Sequence, residues 1–171
     1  MAPKPPITQR ERAVAFLKSK GMARLSELIA EGVTASTVSR LEREGAILRL
    51  ARRLYQLPDA SIEAHHTLAE EAKRVPKCVI CLTSAPAYHE LTDQIPAKVW
   101  IAIGSKDWRP NFRYPPARFA HFPNDYLRTG VEQHVIDGVN VPIFGIAKTI
   151  ADLFRYRCTV GINIALEGLR E

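Results

Sequence analysis

Hydrophobic positions in the first third of the chain recur at helical spacing in three separate stretches. The first begins at Thr8, which forms the spacing of a capping box with Glu11, and continues to about Lys20. A second short helix is predicted over residues 25–32, and a third over about 35–44. Two short helices joined by a turn of a few residues, after a longer helix, are typical of a helix-turn-helix.

The third predicted helix has an apolar face and a basic face. Thr34 is a suitable N-cap, and a period of about 100° per residue places Ala35, Val38 and Leu41 on the inward side. The polar side chains that we take as candidate DNA contacts on this helix are Ser36, Thr37, Ser39, Arg40 and Arg43. The alternative is a solvated face on which glutamates pair with arginines, and the helix alone does not decide between the two.

Alternating positions follow in "AILRLARRLYQL", residues 46–57, and predict two short strands that turn near residues 51–53. Arg52 and Arg53 then lie at the tip of a hairpin, where a wing contacts phosphate or enters a minor groove. Tight hairpin turns favour Gly or Asn, so Ala-Arg-Arg predicts a longer or less regular turn.

The rest of the chain contains segments with helical periodicity and segments with strand periodicity. We predict helices at about 63–74, 85–91, 147–156 and 160–170, strands at 77–84, 98–104 and 117–123, and a hairpin over 131–145 that turns at Asp137-Gly138. The predicted fold class is α+β, with an N-terminal winged helix-turn-helix over residues 8–58 and a mixed α/β domain over 59–171. The last helical pattern has no C-cap glycine, which is typical of a helix that continues beyond Glu171.

Charge separates the two predicted domains. Residues 1–58 contain eleven Lys and Arg against five Glu and no Asp, which equals the net charge of +6 for the whole chain, and residues 59–171 contain thirteen of each sign. An excess of positive charge confined to one module is expected when that module meets a polyanion. Chance variation between small domains is the alternative. Three cysteines and the lack of an apolar leader lead us to expect a cytoplasmic protein.

The cysteines and histidines of the second domain do not indicate a redox, metal or catalytic site. Cys78 and Cys81 have the C-x-x-C spacing, but we expect them to pack in the core because residues three apart in a strand point to opposite faces. The five histidines have no metal-ligand spacing, so we predict no metal, no other cofactor and no catalytic residues.

Two further segments of the second domain carry charge. The loop after residue 104 is a candidate binding surface, and its possible contacts are Lys106, Trp108, Arg109 and Arg113. A solvated loop is the alternative. In "AKTIADLFRYR", residues 147–157, Lys148 and Asp152 are interpreted as a surface salt bridge on a packing helix, because the pair has no nucleophile or metal to act on.

The chain resembles the AbiEi family of antitoxin-type transcriptional regulators from bacterial abortive-infection systems. The resemblance extends over nearly all of residues 8–171 and rests on the segment "TQRERAVAFLKSKGMARLSELIAEGVTASTVSRLEREGAILRLARRLYQLPD", followed by "LTSAPAYHEL", "VWIAIG" and "IFGIAKTIADLFRYR". Members of the family often have Gly in the wing turn, as in "GRGLY", where this chain has "LARRLY" at residues 50–55. The wing geometry is therefore expected to differ.

The resemblance implies a winged helix that binds promoter inverted repeats as a possible dimer and represses its own operon, with a second domain linked to antitoxin activity. The implied toxin is a nucleotidyltransferase-like protein, whose effect the antitoxin of such type IV systems opposes without a demonstrated stable complex. The sequence alone leaves a second hypothesis open, a protein-interaction module that docks a toxin or another regulator. A nucleic-acid enzyme is disfavoured because paired metal-binding carboxylates are missing.

Overall fold

A computed structural model describes residues 8–60, 65–110 and 116–171. Contacts divide these residues into two compact units. The first unit contains residues 8–60 together with Asp137–Val139, and the second contains 65–136 and 140–171. The fold is α+β with a mixed sheet, as the sequence predicts. Among the described residues, every helix falls short of the length and apolar character needed to cross a bilayer.

The first unit places three helices beside a small antiparallel sheet. Its elements are α1 Gln9–Lys20, β1 Met22–Arg24, α2 Leu25–Ala30, α3 Ala35–Arg43, β2 Leu48–Ala51 and β3 Leu54–Gln56. The strand order is β1-β3-β2. The predicted capping box is confirmed, because Thr8 Oγ1 accepts from the Glu11 amide at 3.2 Å and the Glu11 carboxylate accepts from the Thr8 amide at 2.8 Å. This backbone hydrogen bond is the main reason that the pKa of Glu11 is lowered.

A single apolar core holds the first unit together. It contains Ala13 and Leu17 of α1, Leu28 of α2, and Val38 and Leu41 of α3. Burial of the leucine and valine side chains contributes on the order of 1.5–3 kcal/mol each. The inward position predicted for Ala35 is wrong: the side chain is exposed, because it belongs to the first turn of α3, ahead of the buried residues. Strand β1 was not predicted, and its three residues are too few to show a period.

The second unit is built on a five-stranded mixed sheet. Its elements are α4 His66–Arg74, β4 Val79–Ile80, α5 Ser84–Tyr88, β5 Val99–Gly104, β6 Ala117–Phe122, α6 Asn124–Arg128, β7 Val131–Ile136, β8 Val139–Phe144, α7 Ile146–Arg155, α8 Arg157–Val160 and α9 Ile162–Arg170. The strand order is β6-β5-β4-β8-β7. Strand β4 pairs antiparallel with β5 and parallel with β8, and β5 pairs parallel with β6.

Most predicted elements of the second unit are confirmed, although the helix predicted over 85–91 ends at Tyr88 and the short α8 was not predicted. The strand predicted over 77–84 is reduced to two residues, because Leu82 adopts a positive φ of 44° and turns the chain out of the extended region. The helix predicted over 160–170 begins only at Ile162, since Gly161 has a φ of 91° and separates α8 from α9. Helix α6 was not predicted. The predicted start at residue 63 lies outside the described residues.

The core of the second unit contains buried residues from strands β4, β5, β6 and β8. Phe122 of β6 and Phe144 of β8 are fully buried and meet edge to face at 5.6 Å between ring centroids. Cys78 and Cys81 are both buried, as the sequence predicts for core positions. Burial is the largest influence on Cys81 and raises the pKa of its thiol, so this sulfur stays protonated and unreactive.

Candidate nucleic-acid interface

Helix α3 exposes most of the side chains that the sequence analysis selected. The helix starts where Thr34 Oγ1 accepts from the Thr37 amide at 3.3 Å, and its inward face is anchored by the buried Val38 and Leu41. With that face fixed against the core, four of the five candidates are exposed to solvent, namely Ser36, Ser39, Arg40 and Arg43.

Thr37 lies apart from the other four candidates. Its side chain is half-buried and donates from Oγ1 to Oε1 of Gln9 at 2.8 Å. The same Gln9 oxygen accepts from the Thr34 amide at 3.1 Å. Gln9 therefore secures the start of α3 to α1, and Thr37 takes part in this attachment. Sequence reasoning missed the contact because Gln9 and Thr37 are far apart in the chain.

Carboxylates moderate the charge of the exposed face. Glu44 pairs with Arg10 of α1 at 2.8 Å and more distantly with Arg40 at 3.8 Å. Arg43 donates from Nε to the Ser39 carbonyl at 3.3 Å. The Arg40 side chain remains 60% exposed, and exposed ion pairs of this length contribute little stability. Arg40 can therefore exchange its carboxylate for a phosphate or a base at low cost.

The hairpin after α3 carries two adjacent arginines at its tip. Strands β2 and β3 pair with an irregular register between Arg49 and Ala51, and Arg52 and Arg53 between the strands are exposed. Arg53 has a φ of 62°. The longer turn that Ala-Arg-Arg suggested is not observed, because Ala51 pairs with Leu54 across two turn residues. The predicted irregularity is present as the register shift in β2, and a non-glycine residue takes the left-handed position.

The loop selected in the second unit is also exposed where it is described. Lys106 and Arg109 are exposed, and Trp108 is 88% exposed. Asp107 holds the loop against β5, since its carboxylate accepts from the Gly104 amide at 3.0 Å. Arg113 lies outside the described residues.

The predicted surface salt bridge of Lys148 and Asp152 is wrong in its location. The two side chains pair at 2.5 Å, with only 13% and 4% of their surfaces exposed. The Lys148 ammonium lies 4.7 Å from the ring centroid of Phe144 and 5.1 Å from that of Phe122. Asp152 shares the buried face of α7 with Thr149 and Leu153, and Lys148, one turn earlier, is partly buried beside it.

Sequence reasoning missed one cluster of possible ligands in the second unit. One ligand atom each from His89, Glu132 and His134 lies within 4.8 Å of the others. His89 follows α5, whereas the other two belong to β7, so sequence spacing contains no signal for the cluster.

Comparison with known proteins identifies the segment that forms the helices and the hairpin. No curated protein is significantly similar in sequence to the chain. Residues 11–58 match a family model described as "Transcriptional regulator, AbiEi antitoxin", which supports a role as an antitoxin and regulator. The match includes α2, α3 and both strands of the hairpin. The resemblance of the segments after residue 58 to the same family stays a prediction. The segment 11–58 therefore belongs to the AbiEi antitoxin family of transcriptional regulators.

Proposed function

We propose that the chain is a DNA-binding transcriptional repressor that acts as the antitoxin of a toxin–antitoxin operon and regulates its own promoter. In this proposal the first unit is a winged helix-turn-helix, with α3 in the major groove and the β2–β3 hairpin as the wing. Two copies bind the two halves of an inverted repeat. The family match to residues 11–58 supports the regulatory role.

One observation carries the assignment of the interface. Residues 1–58, whose charge balance of +6 equals that of the whole chain, also expose Arg40 and Arg43 on α3 and Arg52 and Arg53 on the hairpin. Helix arginines can read guanine edges, while hairpin arginines contact phosphate irrespective of sequence. Ser36 and Ser39 add hydroxyl groups to the same helix surface.

The proposal predicts different effects for the two arginine pairs. Arg40→Ala should reduce the preference for the operator over unrelated DNA by roughly 1–3 kcal/mol, if it contacts a base. Removing the charges of Arg52 and Arg53 should weaken binding to both DNAs to a similar extent. Fluorescence anisotropy with the chain's own upstream DNA and a scrambled duplex measures both effects.

The decisive variant neutralises Arg40, Arg43, Arg52 and Arg53 together. A matched control removes the same charge from exposed positions of the second unit, as K98Q/K106Q/R109Q/R128Q. We expect the first variant to lose operator binding and the control to retain it. Equal affinity of the first variant and the unmodified chain would overturn the proposal.

The second unit is proposed to act by binding and not by catalysis. Lys148 and Asp152 pair with each other beside aromatic rings, which suits a packing role. Helix α9 exposes Ile162, Leu166 and Leu169, whose spacing places them on one helix face. This face favours contact with a protein partner, for which the proposed candidate is the nucleotidyltransferase-like toxin. Co-purification with the product of an adjacent gene, and its loss in L166E/L169E, tests the contact.

A further inference from the structure

We propose that His89, Glu132 and His134 form a binding site for one divalent transition-metal ion, with Zn²⁺ as the first candidate. The site lies within the second unit and is independent of the proposed DNA contacts. Two imidazoles and one carboxylate are a donor set that Zn²⁺ accepts, and three protein ligands leave a fourth position for water or another ligand.

Strand geometry places two of the three ligands side by side. Glu132 and His134 are two residues apart on β7, so their side chains share one face of the strand. His134 Nε2 lies 3.2 Å from the Glu132 carboxylate. Two ligand atoms bound to one tetrahedral Zn²⁺ at about 2.0–2.1 Å are roughly 3.3 Å apart. This pair therefore already has the separation that the ion requires.

The third ligand is oriented by the backbone of β8. His89 Nε2 lies 2.9 Å from the carbonyl oxygen of Phe144, and because a carbonyl only accepts, this nitrogen is the donor. Nδ1 of the neutral ring is then left with a lone pair that can bind a metal ion. A metal-binding histidine usually donates its other nitrogen to a carbonyl or carboxylate in this way.

Packing limits the movement of the two imidazole rings and leaves space for the Glu132 carboxylate. Tyr88 contacts His89 at 5.4 Å and His134 at 4.9 Å between ring centroids, both edge to face. Glu132 lies against Gly145, where a Cβ atom would be 2.3 Å from its Oε1. The missing side chain at Gly145 thus leaves the space that this carboxylate occupies. Because the three ligand atoms lie within 4.8 Å of one another, they must approach each other by at most about 1.5 Å to bind one ion.

The test is a metal titration of the full chain after treatment with a chelator. Zn²⁺ is titrated in competition with a chromophoric chelator, and Co²⁺ is added separately to record the visible absorption of a tetrahedral site. We expect one ion per chain and a rise in thermal stability with Zn²⁺. His89→Ala, Glu132→Gln and His134→Ala should each weaken the affinity at least tenfold.

His121→Ala is the matched control, because His121 is a half-buried histidine of the same unit that contacts a backbone carbonyl at 3.3 Å. It should bind Zn²⁺ like the unmodified chain. Glu132→Gln changes an exposed side chain and keeps its shape, so it remains informative if a histidine variant unfolds. The proposal is overturned if the unmodified chain binds no stoichiometric ion, if Glu132→Gln retains full affinity, or if His121→Ala loses as much as the ligand variants.

Discussion

Arg53 occupies a backbone conformation that few side chains tolerate. Its φ is 62°, and the left-handed region costs a residue with a Cβ atom roughly 1–2 kcal/mol. The Arg53 carbonyl accepts from the Leu25 amide at 2.8 Å, so this conformation also connects the hairpin to the start of α2. Under the proposed function, the charge of Arg53 contributes to DNA binding although its backbone conformation lowers the stability of the fold.

Arg53→Gly is expected to stabilise the chain while weakening DNA binding. Glycine removes the left-handed penalty but loses about 0.5–1 kcal/mol of chain entropy, so the net gain is about 0.5–1 kcal/mol. Arg52 lacks the positive φ, and Arg52→Gly should therefore lower stability while weakening DNA binding similarly. Urea unfolding and fluorescence anisotropy distinguish the two variants. Equal stability changes would contradict the backbone argument.

Glu71 is a carboxyl group whose protonation is strongly changed by folding. Its side chain is fully buried in α4, and burial raises its pKa to about 8 despite the nearby Arg74. Within the described residues, hydrogen-bond partners for its two oxygens are absent. The neutral acid is therefore the form favoured by the fold at neutral pH.

This shift makes stability depend on pH. Because the folded pKa lies above the unfolded value of 4.5, the folded chain holds the extra proton between these values. The stability that this extra proton contributes is fully present below about pH 4.5 and is lost as the pH rises through about 8. The difference in unfolding free energy between Glu71→Gln and the unmodified chain should therefore shift in favour of the variant from pH 5 to 8.5. The shift should be on the order of a few kcal/mol. Urea unfolding across this range measures it, and a constant difference would contradict the raised pKa.

At the scale of elements, the start of α3 depends on a side chain of α1. The Gln9 carbonyl accepts from the Thr34 amide, the Thr34 hydroxyl and the Thr37 hydroxyl at 3.1, 3.1 and 2.8 Å. These bonds satisfy groups at the helix start and orient the proposed recognition helix relative to α1.

Gln9→Ala should reduce the free energy of unfolding by about 1–2 kcal/mol, because the three donors lose their shared acceptor. Gln9→Glu retains an acceptor oxygen and places negative charge near the start of two helices, so it should keep most of the stability. Thermal unfolding of both variants provides the comparison. A loss as large in the Glu variant as in the Ala variant would show that the acceptor is not the cause.

Helix α7 depends in a similar way on the Lys148–Asp152 pair. Lys148→Met leaves a carboxylate buried without its partner, which should cost about 3–5 kcal/mol. The double variant K148M/D152L removes both charges and should recover most of that loss. Chemical denaturation of Lys148→Met, Asp152→Leu and K148M/D152L tests the coupling, and additive losses would contradict it.

At the scale of the whole molecule, charge is distributed unevenly between the two parts of the chain. Residues 1–58 contain the net charge of +6, and the remainder is balanced. Counterion release then predicts that DNA affinity falls steeply with salt and that only the first unit controls the slope.

Replacing Arg52 and Arg53 with Gln should reduce the slope of log affinity against log salt by up to about 2, since each phosphate that an arginine neutralises adds roughly 0.9 to the slope. K106Q/R109Q removes the same charge from an exposed loop of the second unit and should leave the slope unchanged. Binding measured at several salt concentrations provides both slopes. A similar decrease in both variants would show that overall charge, rather than the hairpin, controls binding.

Local signals in the sequence predicted much of the fold. The capping box at Thr8, the N-cap at Thr34 and the turn at Asp137-Gly138 depend on residues close in the chain, and the structure confirms each of them. The short β1, α6 and α8 were missed because they contain too few residues to establish a period.

The sequence by itself determined most helices and strands, the segregation of positive charge and the family resemblance of residues 11–58. Tertiary structure alone decided that Thr37 is attached to Gln9, that Asp152 is buried with Lys148 partly buried beside it, and that His89 lies close to Glu132 and His134 of β7. The physical reason is the range of the interactions. Caps and periods arise within a few residues, whereas burial and side-chain clusters exist only after distant segments have packed together.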